Sequence, residues 1–493
     1  MSLPENGAPW PPPHLSSLYR EITVNDAWYS GDRRRLAEVY RTERQRRSDG
    51  RRRLWARHRT ADRTKGDDGR LHIPLAGDIA SASAELLFAE PFTFTVADTG
   101  TQGRLEDIAE AGGLANTLLE AAEVGAALGG TFLRVTWDSE LAARPLITVM
   151  HPDKALPEFS YGTLRAVTFW RELPGSDDDT VWRHLERHER GRIVHALYQG
   201  TSDRIGTRVP LTEHPDTAGL VDSLDAEGDT ITTGVDALTA AYVPNALPNR
   251  RHRGSPFGRS DYDAPLHDLM DALDETWSSW LRDIRLARAR LIVPDAYLRD
   301  HGPGRGASFD DDREIWAALS IPPTEGAGIT LSQFAIRVAE HQTTSDAIVR
   351  QAVQSAGYSP ATFGMDDQGA VTATEVKARM RRSMTTREKK SRYWAPALAD
   401  ILHVALMLDR HLFTPSLVVE RPRVAFGDGV SEDPTSVAQT LSLLTQAQAA
   451  SVDTRVRILH PDWDDDAVRA EVDRILVETG AAVPDPMQAG ALA

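Results

Sequence analysis

Residues 357–398 read GYSPATFGMDDQGAVTATEVKARMRRSMTTREKKSRYWAPAL, and they constrain the fold more than any other stretch. Glycines, a proline and two adjacent aspartates open the segment, a composition that favours a loop. Thr372 and Glu375 then stand three apart. That is the capping-box spacing, in which each side chain satisfies a backbone N–H of a new helix. The helical pattern that follows is strongly basic, carrying Lys377, Arg379, Arg381, Arg382, Arg387, Lys389, Lys390 and Arg392. Pro396 falls about six turns into it; lacking an N–H and crowding the preceding turn, it predicts a bend there. The fold must therefore hold a loop, a capped basic helix and a built-in kink in direct succession.

The chain has 493 residues, enough to bury several subdomain cores. Its formal charge of -16 argues against a protein built to grip nucleic acid tightly, since such grip comes from Lys and Arg neutralising phosphates. It is compatible with a surface that DNA slides past. There are no cysteines, which excludes disulfides and thiolate zinc sites and suits a reducing cytoplasm. Met1-Ser-Leu-Pro-Glu5 carries no basic segment followed by an apolar run, so no signal peptide is expected. No run of eighteen apolar residues is present, so no membrane span or membrane partner is expected. Arginine dominates over lysine, which fits a GC-rich coding sequence and an actinobacterial host.

Residues 1–16 are Pro-rich and read as a flexible arm. A basic run follows, from Arg33, Arg34 and Arg35 to Arg57 and Arg59. It reads as a solvated helix and loop with glutamate partners, or as a contact to DNA or an acidic neighbouring subunit. Apolar periodicity predicts helices over 72–90 and 105–128, and alternation predicts a twisted antiparallel sheet over 131–213. A long helix is expected over 260–292, capped by Ser260 and Asp263, with Pro265 in its first turn. Leu266, Leu269, Met270, Leu273, Trp277, Trp280, Leu281 and Ile284 keep its apolar stripe, and 33 residues would span about 50 Å. Loop and short-strand signals fill 293–338, then a helix over 340–356 ends at Gly357. Leu417–Phe426 reads as a strand, and helices follow at 434–450, 452–459 and 464–479, before an Ala/Pro-rich tail expected to be mobile.

In this order the elements resemble the portal proteins of tailed bacteriophages, of the siphophage type. The loop, capped helix and Pro396 are similar to a tunnel loop and kinked tunnel helix. Ala27-Trp28-Tyr29-Ser30-Gly31, Leu71 to Ala80, Ser81 to Phe88 and Glu90-Pro91 are similar to the family's early wing region. Pro157-Glu158-Phe159, Tyr161-Gly162 and Val181 to Tyr198 resemble its β-rich wing. The resemblance implies an α+β fold with arm and α/β wing over 1–259, stem helices at 260–292 and 339–356, and a small α/β clip over 293–338. It further implies a tunnel loop at 357–371, a kinked tunnel helix with return to the wing at 372–430, and a helical crown and tail at 431–493.

The function so implied is a homo-oligomer, a dodecameric ring at one capsid vertex, through which double-stranded DNA is packaged and ejected. Implied partners are terminase, head–tail connector proteins, and the major capsid and scaffolding proteins. The implied location is the virion, after assembly in the host cytoplasm. Gly364, Met365, Asp366, Asp367, Gln368 and Gly369 would line the channel, where the two aspartates repel phosphate and favour translocation over adhesion. The basic residues of the tunnel helix would meet either DNA or the acidic flanks of adjacent subunits. Trp277, Trp280 and Leu281 would pack stem helices between subunits. No catalytic residue, cofactor or metal is expected.

Other chemistry reads weakly. No Walker A loop is present, so the packaging ATPase is not expected here. Gly302, Gly304 and Gly306 do not form a dinucleotide fingerprint. His184, His188 and His195 raise a metal site, but strand alternation would separate the first two, and their Glu and Arg neighbours suggest an exposed sheet. Glu375-Val-Lys377 with Asp295 resembles a nuclease carboxylate set, but Glu375 has a local role in the cap. The His-Pro-Asp tripeptides at 151, 214 and 460 read as turns or helix starts. The competing readings are an enzyme of phage DNA metabolism, a nuclease or terminase subunit, and a monomeric scaffold or adaptor.

Overall fold

The computed structural model describes residues 3–39, 71–89, 92–177, 179–225, 228–287, 290–292, 299–300, 307–308, 330–332, 336–365, 373–427, 434–460, 463 and 465–479. In chain order these form α1 (Ser16–Ser30), α2 (Leu75–Phe88), β1 (Thr93–Thr95), α3 (Thr99–Ala111), α4 (Leu114–Leu128), β2 (Gly130–Thr136) and β3 (Leu146–Met150). Next come β4 (Ala155–Ser160), β5 (Thr163–Glu172), β6 (Val181–Glu189), β7 (Arg192–Gly200), β8 (Thr207–Val209), α5 (Pro215–Ala218), β9 (Thr230–Thr232) and β10 (Ala240–Pro244). Then follow α6 (Ala264–Leu286), β11 (Arg290–Ile292), β12 (Arg299–Asp300), β13 (Ala307–Ser308), β14 (Thr330–Ser332), α7 (Val338–Ala356) and α8 (Ala373–Leu412). The last elements are β15 (Arg423–Ala425), α9 (Pro434–Gln446), α10 (Val452–Leu459) and α11 (Asp465–Glu478). Two compact units result: residues 1–365 with 382–426, and residues 366–381 with 427–493.

Two antiparallel sheets form most of the larger unit's β part, beside three two-stranded pairs. Strands β4-β5-β6-β7-β8 run side by side with β9 added on β7, while β10-β2-β3 form a separate sheet. The alternation over 131–213 predicts one sheet. The division falls at Pro152, where a 3-10 turn over Pro152–Lys154 redirects the chain between β3 and β4. Phe132, Val167, Phe169 and Ala240 fill a core shared by the two sheets.

The helices pack around two further cores. One joins Leu105 and Ile108 of α3, Leu114 and Leu118 of α4, and Trp394, Leu398, Leu402 and Leu406 of α8. The other joins Trp28 of α1, Ile79 of α2, Leu266, Met270 and Leu273 of α6, and Val353 of α7. Helix α8 continues through Pro396 without a break. The proline forfeits one backbone hydrogen bond, while Trp394, Leu398, Ile401 and Leu402 on the same stretch are buried and hold the helix in place.

Several expectations are corrected. The helix expected over 105–128 is two helices, because Gly113 takes φ +63 and a Cβ at Gly112 would lie 2.6 Å from the Ile108 carbonyl oxygen. Helix α6 starts after Asp263 with Pro265 in its first turn, but ends at Leu286. Its 23 residues span about 35 Å, because Arg290–Ile292 leaves to pair with Thr330–Ser332. Ser260 does not cap it; its hydroxyl donates to the Ala126 carbonyl at 3.2 Å. The strand expected over Leu417–Phe426 is Arg423–Ala425 alone, paired with β1. Gly302 to Gly306, Asp310 to Asp312, Ile315 to Leu319, the Pro294–Asp295 pair and the tail from 481 lie outside the described residues, as do Arg41 to Arg59 of the basic run.

The Pro-rich arm is docked rather than free. Gly7 N–H donates to Gly206 O at 2.7 Å, Trp10 N–H to Asp203 O at 2.8 Å, and Ile205 N–H to Ala8 O at 3.0 Å. Trp10 is 6% exposed and meets Trp170 edge-on at 5.2 Å. Prolines withhold donors, but the residues between them supply enough to pair with the loop before β8, and the Trp10 indole adds an apolar anchor. Trp10→Ala should lower stability by about 3 kcal/mol and expose residues 3–12 to proteolysis under native conditions. Unchanged protection of the arm in limited proteolysis would contradict the anchor.

The smaller unit holds α9, α10 and α11. Ser451 caps α10 by accepting from Thr454 N–H at 3.2 Å. Arg457 joins Asp453 at 3.1 Å and Asp465 at 2.8 Å, tying α10 to α11. These helices match the three expected from the pattern.

Candidate functional site at the loop root and the basic helix

Helix α7 stops because Gly357 adopts φ 103, and Tyr358 N–H returns to Val353 O at 3.1 Å. The chain is then fastened to α8 by side chains at matching positions. Thr386 Oγ1 donates to Gly357 O at 2.6 Å, and Ser359 N–H donates to Ser383 Oγ at 2.8 Å. The hydroxyls of Thr362 and Ser383 lie 2.7 Å apart. Ser383, Thr386 and Lys390 are spaced three and four apart, so they share one helix face.

Lys390 completes the fastening from beneath. Its Nζ donates to Asp261 Oδ2 and to Ser83 Oγ, both at 2.6 Å. Tyr358 OH donates to the same Asp261 oxygen at 2.7 Å, and Asn245 Nδ2 to the other at 2.8 Å. Lys390 and Asp261 are 4% and 3% exposed. Burial pushes the Lys390 ammonium below its ordinary value, and the Asp261 charge opposes that without cancelling it. Burial, reinforced by Asp261, raises the Tyr358 phenol well above its ordinary range. One helical turn before Lys390, Arg387 Nε donates to Leu86 O at 2.6 Å, a cation at the last turn of α2.

The expected site residues separate accordingly. Arg387 and Lys390 turn inward and bind their own chain. Arg382, Lys389 and Arg392 are exposed on the other side of α8. Arg381 is exposed too, and Arg379 pairs with Glu375 one turn away. Gly364 takes φ 68, and Met365 N–H reaches Pro360 O at 3.2 Å. Asp366, Asp367, Gln368, Gly369 and Thr372 lie outside the described residues, as does the Lys377 side chain. The loop expected from 358 is therefore pinned over its first residues, with Tyr358 and Ser359 buried.

On α6, Trp277 and Trp280 are half-buried with rings 5.2 Å apart. Trp280 stacks on His341 of α7 at 5.9 Å, and His341 Nε2 lies 3.0 Å from Asp283 Oδ2. Part of the stripe thus packs α6 against α7, and Leu281 stands half-buried beside it. The histidines expected on an exposed sheet are buried instead: His184, His188 and His195 are all at most 5% exposed. His214 of a His-Pro-Asp turn accepts from Asp216 N–H and starts α5.

Asp261, Tyr358, Ser383 and Thr386 escaped the sequence reading. A signal existed: the buried stripe of α8, Trp394–Leu398–Ile401, runs back through Lys390, Arg387 and Ser383 at the same spacing.

An α+β chain with a long basic helix and a loop fastened to its flank defines a class, and comparison with known families places it. The sequence matches the family described as phage portal protein, SPP1 Gp6-like, over residues 12–485, and the chain belongs to that family. Its role is that of a portal protein. Among curated proteins none matches. Among solved structures, the chain is similar to one in the virion of a native gene transfer agent particle, at 13% identity and TM-score 0.45, covering 92% of this chain and 96% of that one. A chain in the neck of an empty gene transfer agent particle, computed with C6 symmetry, gives 15% identity and TM-score 0.42, covering 79% and 91%. One in the neck of the native particle, computed with C12 symmetry, gives 13% identity and TM-score 0.38, covering 81% and 89%. No helix among the described residues is long and apolar enough to cross a membrane.

Lys390→Met strands the Asp261 carboxylate and should destabilise the larger unit by about 3–5 kcal/mol. Adding Asp261→Asn should cost less than the sum of the two single changes, with a coupling of about 2 kcal/mol in urea unfolding. Additive effects would mean the pair does not act as a unit.

Proposed function

We propose that this portal-family chain assembles as a homo-oligomeric ring, a dodecamer, whose axial channel carries double-stranded DNA during packaging and ejection at one capsid vertex. The family match over nearly the whole chain carries this reading. In it, α6 and α7 are the stem, residues 293–338 the clip, 357–371 the tunnel loop, α8 the tunnel helix and α9 to α11 the crown. The clip end meets terminase during packaging and head–tail connector proteins afterwards. The wing meets the major capsid and scaffolding proteins. The ring is assembled in the host cytoplasm and retained in the virion.

The partition of charge on α8 supports the channel reading. Arg382, Lys389 and Arg392 point away from their own core, while Asp366 and Asp367 add negative charge in the adjoining loop. Ring-repeated weak attraction beside repulsion favours sliding over adhesion. The chain then acts as a conduit, without chemistry of its own on DNA.

The purified chain should run as a ring with a central hole in negative stain and native mass. Trp277→Ala removes an aromatic ring from the stem, worth a few kcal/mol at roughly 25 cal/mol per Å², and should loosen the ring or lower its melting midpoint. An unchanged ring with unchanged melting would refute the stem contact. Asp366→Lys with Asp367→Lys should leave rings intact but slow packaging, most at low ionic strength, where screening is weakest. Normal packaging at every salt concentration would remove the loop from the DNA path.

A further inference from the structure

A dense cluster of buried titratable groups lies between the two sheets, away from every residue assigned above. One face of β6 carries His184, Glu186 and His188, and β7 places His195 opposite Glu186. His184 Nε2 lies 3.1 Å from His195 Nδ1, and the two rings are parallel within 4°. His188 Nδ1 lies 2.6 Å from the Thr239 hydroxyl, and its Nε2 lies 2.7 Å from Glu186 Oε1. Arg134 of β2, in the opposite sheet, donates to Glu186 Oε2 at 2.7 Å and to the Thr148 hydroxyl of β3 at 3.2 Å. Arg171 of β5 pairs across from His184. Arg208 of β8 donates to the His195 carbonyl at 3.4 Å and to Asp229 at 2.7 Å. The cluster therefore ties one sheet to the other through polar groups in an otherwise aromatic and aliphatic interface.

Glu186 is matched by Arg134 and hydrogen-bonded to His188. The His184–His195 contact needs one N–H, donated by one ring and accepted by the other. Two charged imidazoles would face each other beside Arg134 and Arg171, and the carboxylate nearest them, Glu186, is already engaged by Arg134 and His188. Parting the sheets would release Glu186 from Arg134 and His188 from Thr239, loosening the cover over the neighbouring rings and letting them take up protons. We propose that this network is a proton-operated latch between the two sheets, closed while the stacked imidazoles are neutral and loosened by acid. This goes beyond the portal role and does not depend on the ring.

The sign follows from linkage. Burial, then the neighbouring His195, lowers His184 from 6.5 to about 4, and burial lowers His195 in the same direction. Both groups resist protonation while the sheets are closed. The closed state is fully stable above about pH 6.5 and loses stability as pH falls towards 4. Burial alone would raise the Glu186 carboxyl, but the His188 hydrogen bond and the Arg134 charge hold it well below its ordinary value. Its contribution is lost only at lower pH and acts in the same direction. His184 alone should raise the open-to-closed ratio about 20-fold between pH 7 and pH 5.

Hydrogen exchange by mass spectrometry on the full chain tests this, with rates corrected for intrinsic pH dependence. Peptides covering β2, β6 and β7 should open about 20-fold more readily at pH 5 than at pH 7. In the variant carrying His184→Gln and His195→Gln the rise should shrink to under about 3-fold. A flat response in the parent chain, or the full rise in the variant, overturns the proposal. Should the variant fail to fold, histidine C2–H exchange in the parent chain reads the rings directly. A midpoint below pH 5 for His184, with His195 lowered in the same direction, supports the latch, and midpoints at or above 6.5 overturn it.

Discussion

The ion pair between Lys390 and Asp261 is the constraint on which the larger unit depends. Removing an ammonium and a carboxylate from water costs several kcal/mol each, and their attraction repays this only when every remaining lone pair and proton is satisfied. Here most are: Asp261 accepts from Tyr358 and Asn245 as well, and Lys390 also donates to Ser83. The partners come from α2, from the approach to α6, from the end of α7 and from α8. Each is far from the others in sequence, so the pair fixes the register in which these segments meet. A hydrophobic contact in the same place would ask only for complementary shape; this network also fixes each donor against its acceptor.

That register explains why one helix carries cations with opposite fates. Arg387 and Lys390 are spent on carbonyls and a carboxylate within their own chain. Arg382, Lys389 and Arg392 follow on the other side and are exposed. The basic run is therefore two structures superimposed on one sequence, an inward clamp and an outward stripe. The clamp determines which way the stripe points.

Much of the fold was legible because helix punctuation acts locally. Gly357 as a helix stop, Pro265 in a first turn, the three C-terminal helices and the strand alternation of β6 and β7 all follow from neighbours within a few residues. The misreadings came where distant partners decide. The arm reads as free because nothing within sixteen residues explains Trp10; its partners are Trp170 and the 203–206 loop. The His184 strand reads as exposed because Glu and Arg flank it, but a second sheet covers that face and Arg134 answers Glu186. Of the site, the basic helix was visible, while Asp261 and Tyr358 were not, since their roles exist only once α7 and α8 are side by side.

The local stripe and the net charge of -16 act on different length scales. At physiological salt the Debye length is about 8 Å. Arg382 and Lys389 are separated by about 10 Å along the helix, and Lys389 and Arg392 by about 5 Å. A phosphate touching one of these cations is therefore governed by it and its nearest neighbour, and the acidic remainder of the chain is largely screened. The acidity still matters to a polyanion at longer range and in dilute salt, where it resists non-specific wrapping. In the proposed ring, DNA would thus meet short, weak, repeated attractions inside a particle that repels it elsewhere. No single attraction would be deep enough to arrest movement, and in that ring the inward clamp of Lys390 would keep each stripe at the same position in every subunit.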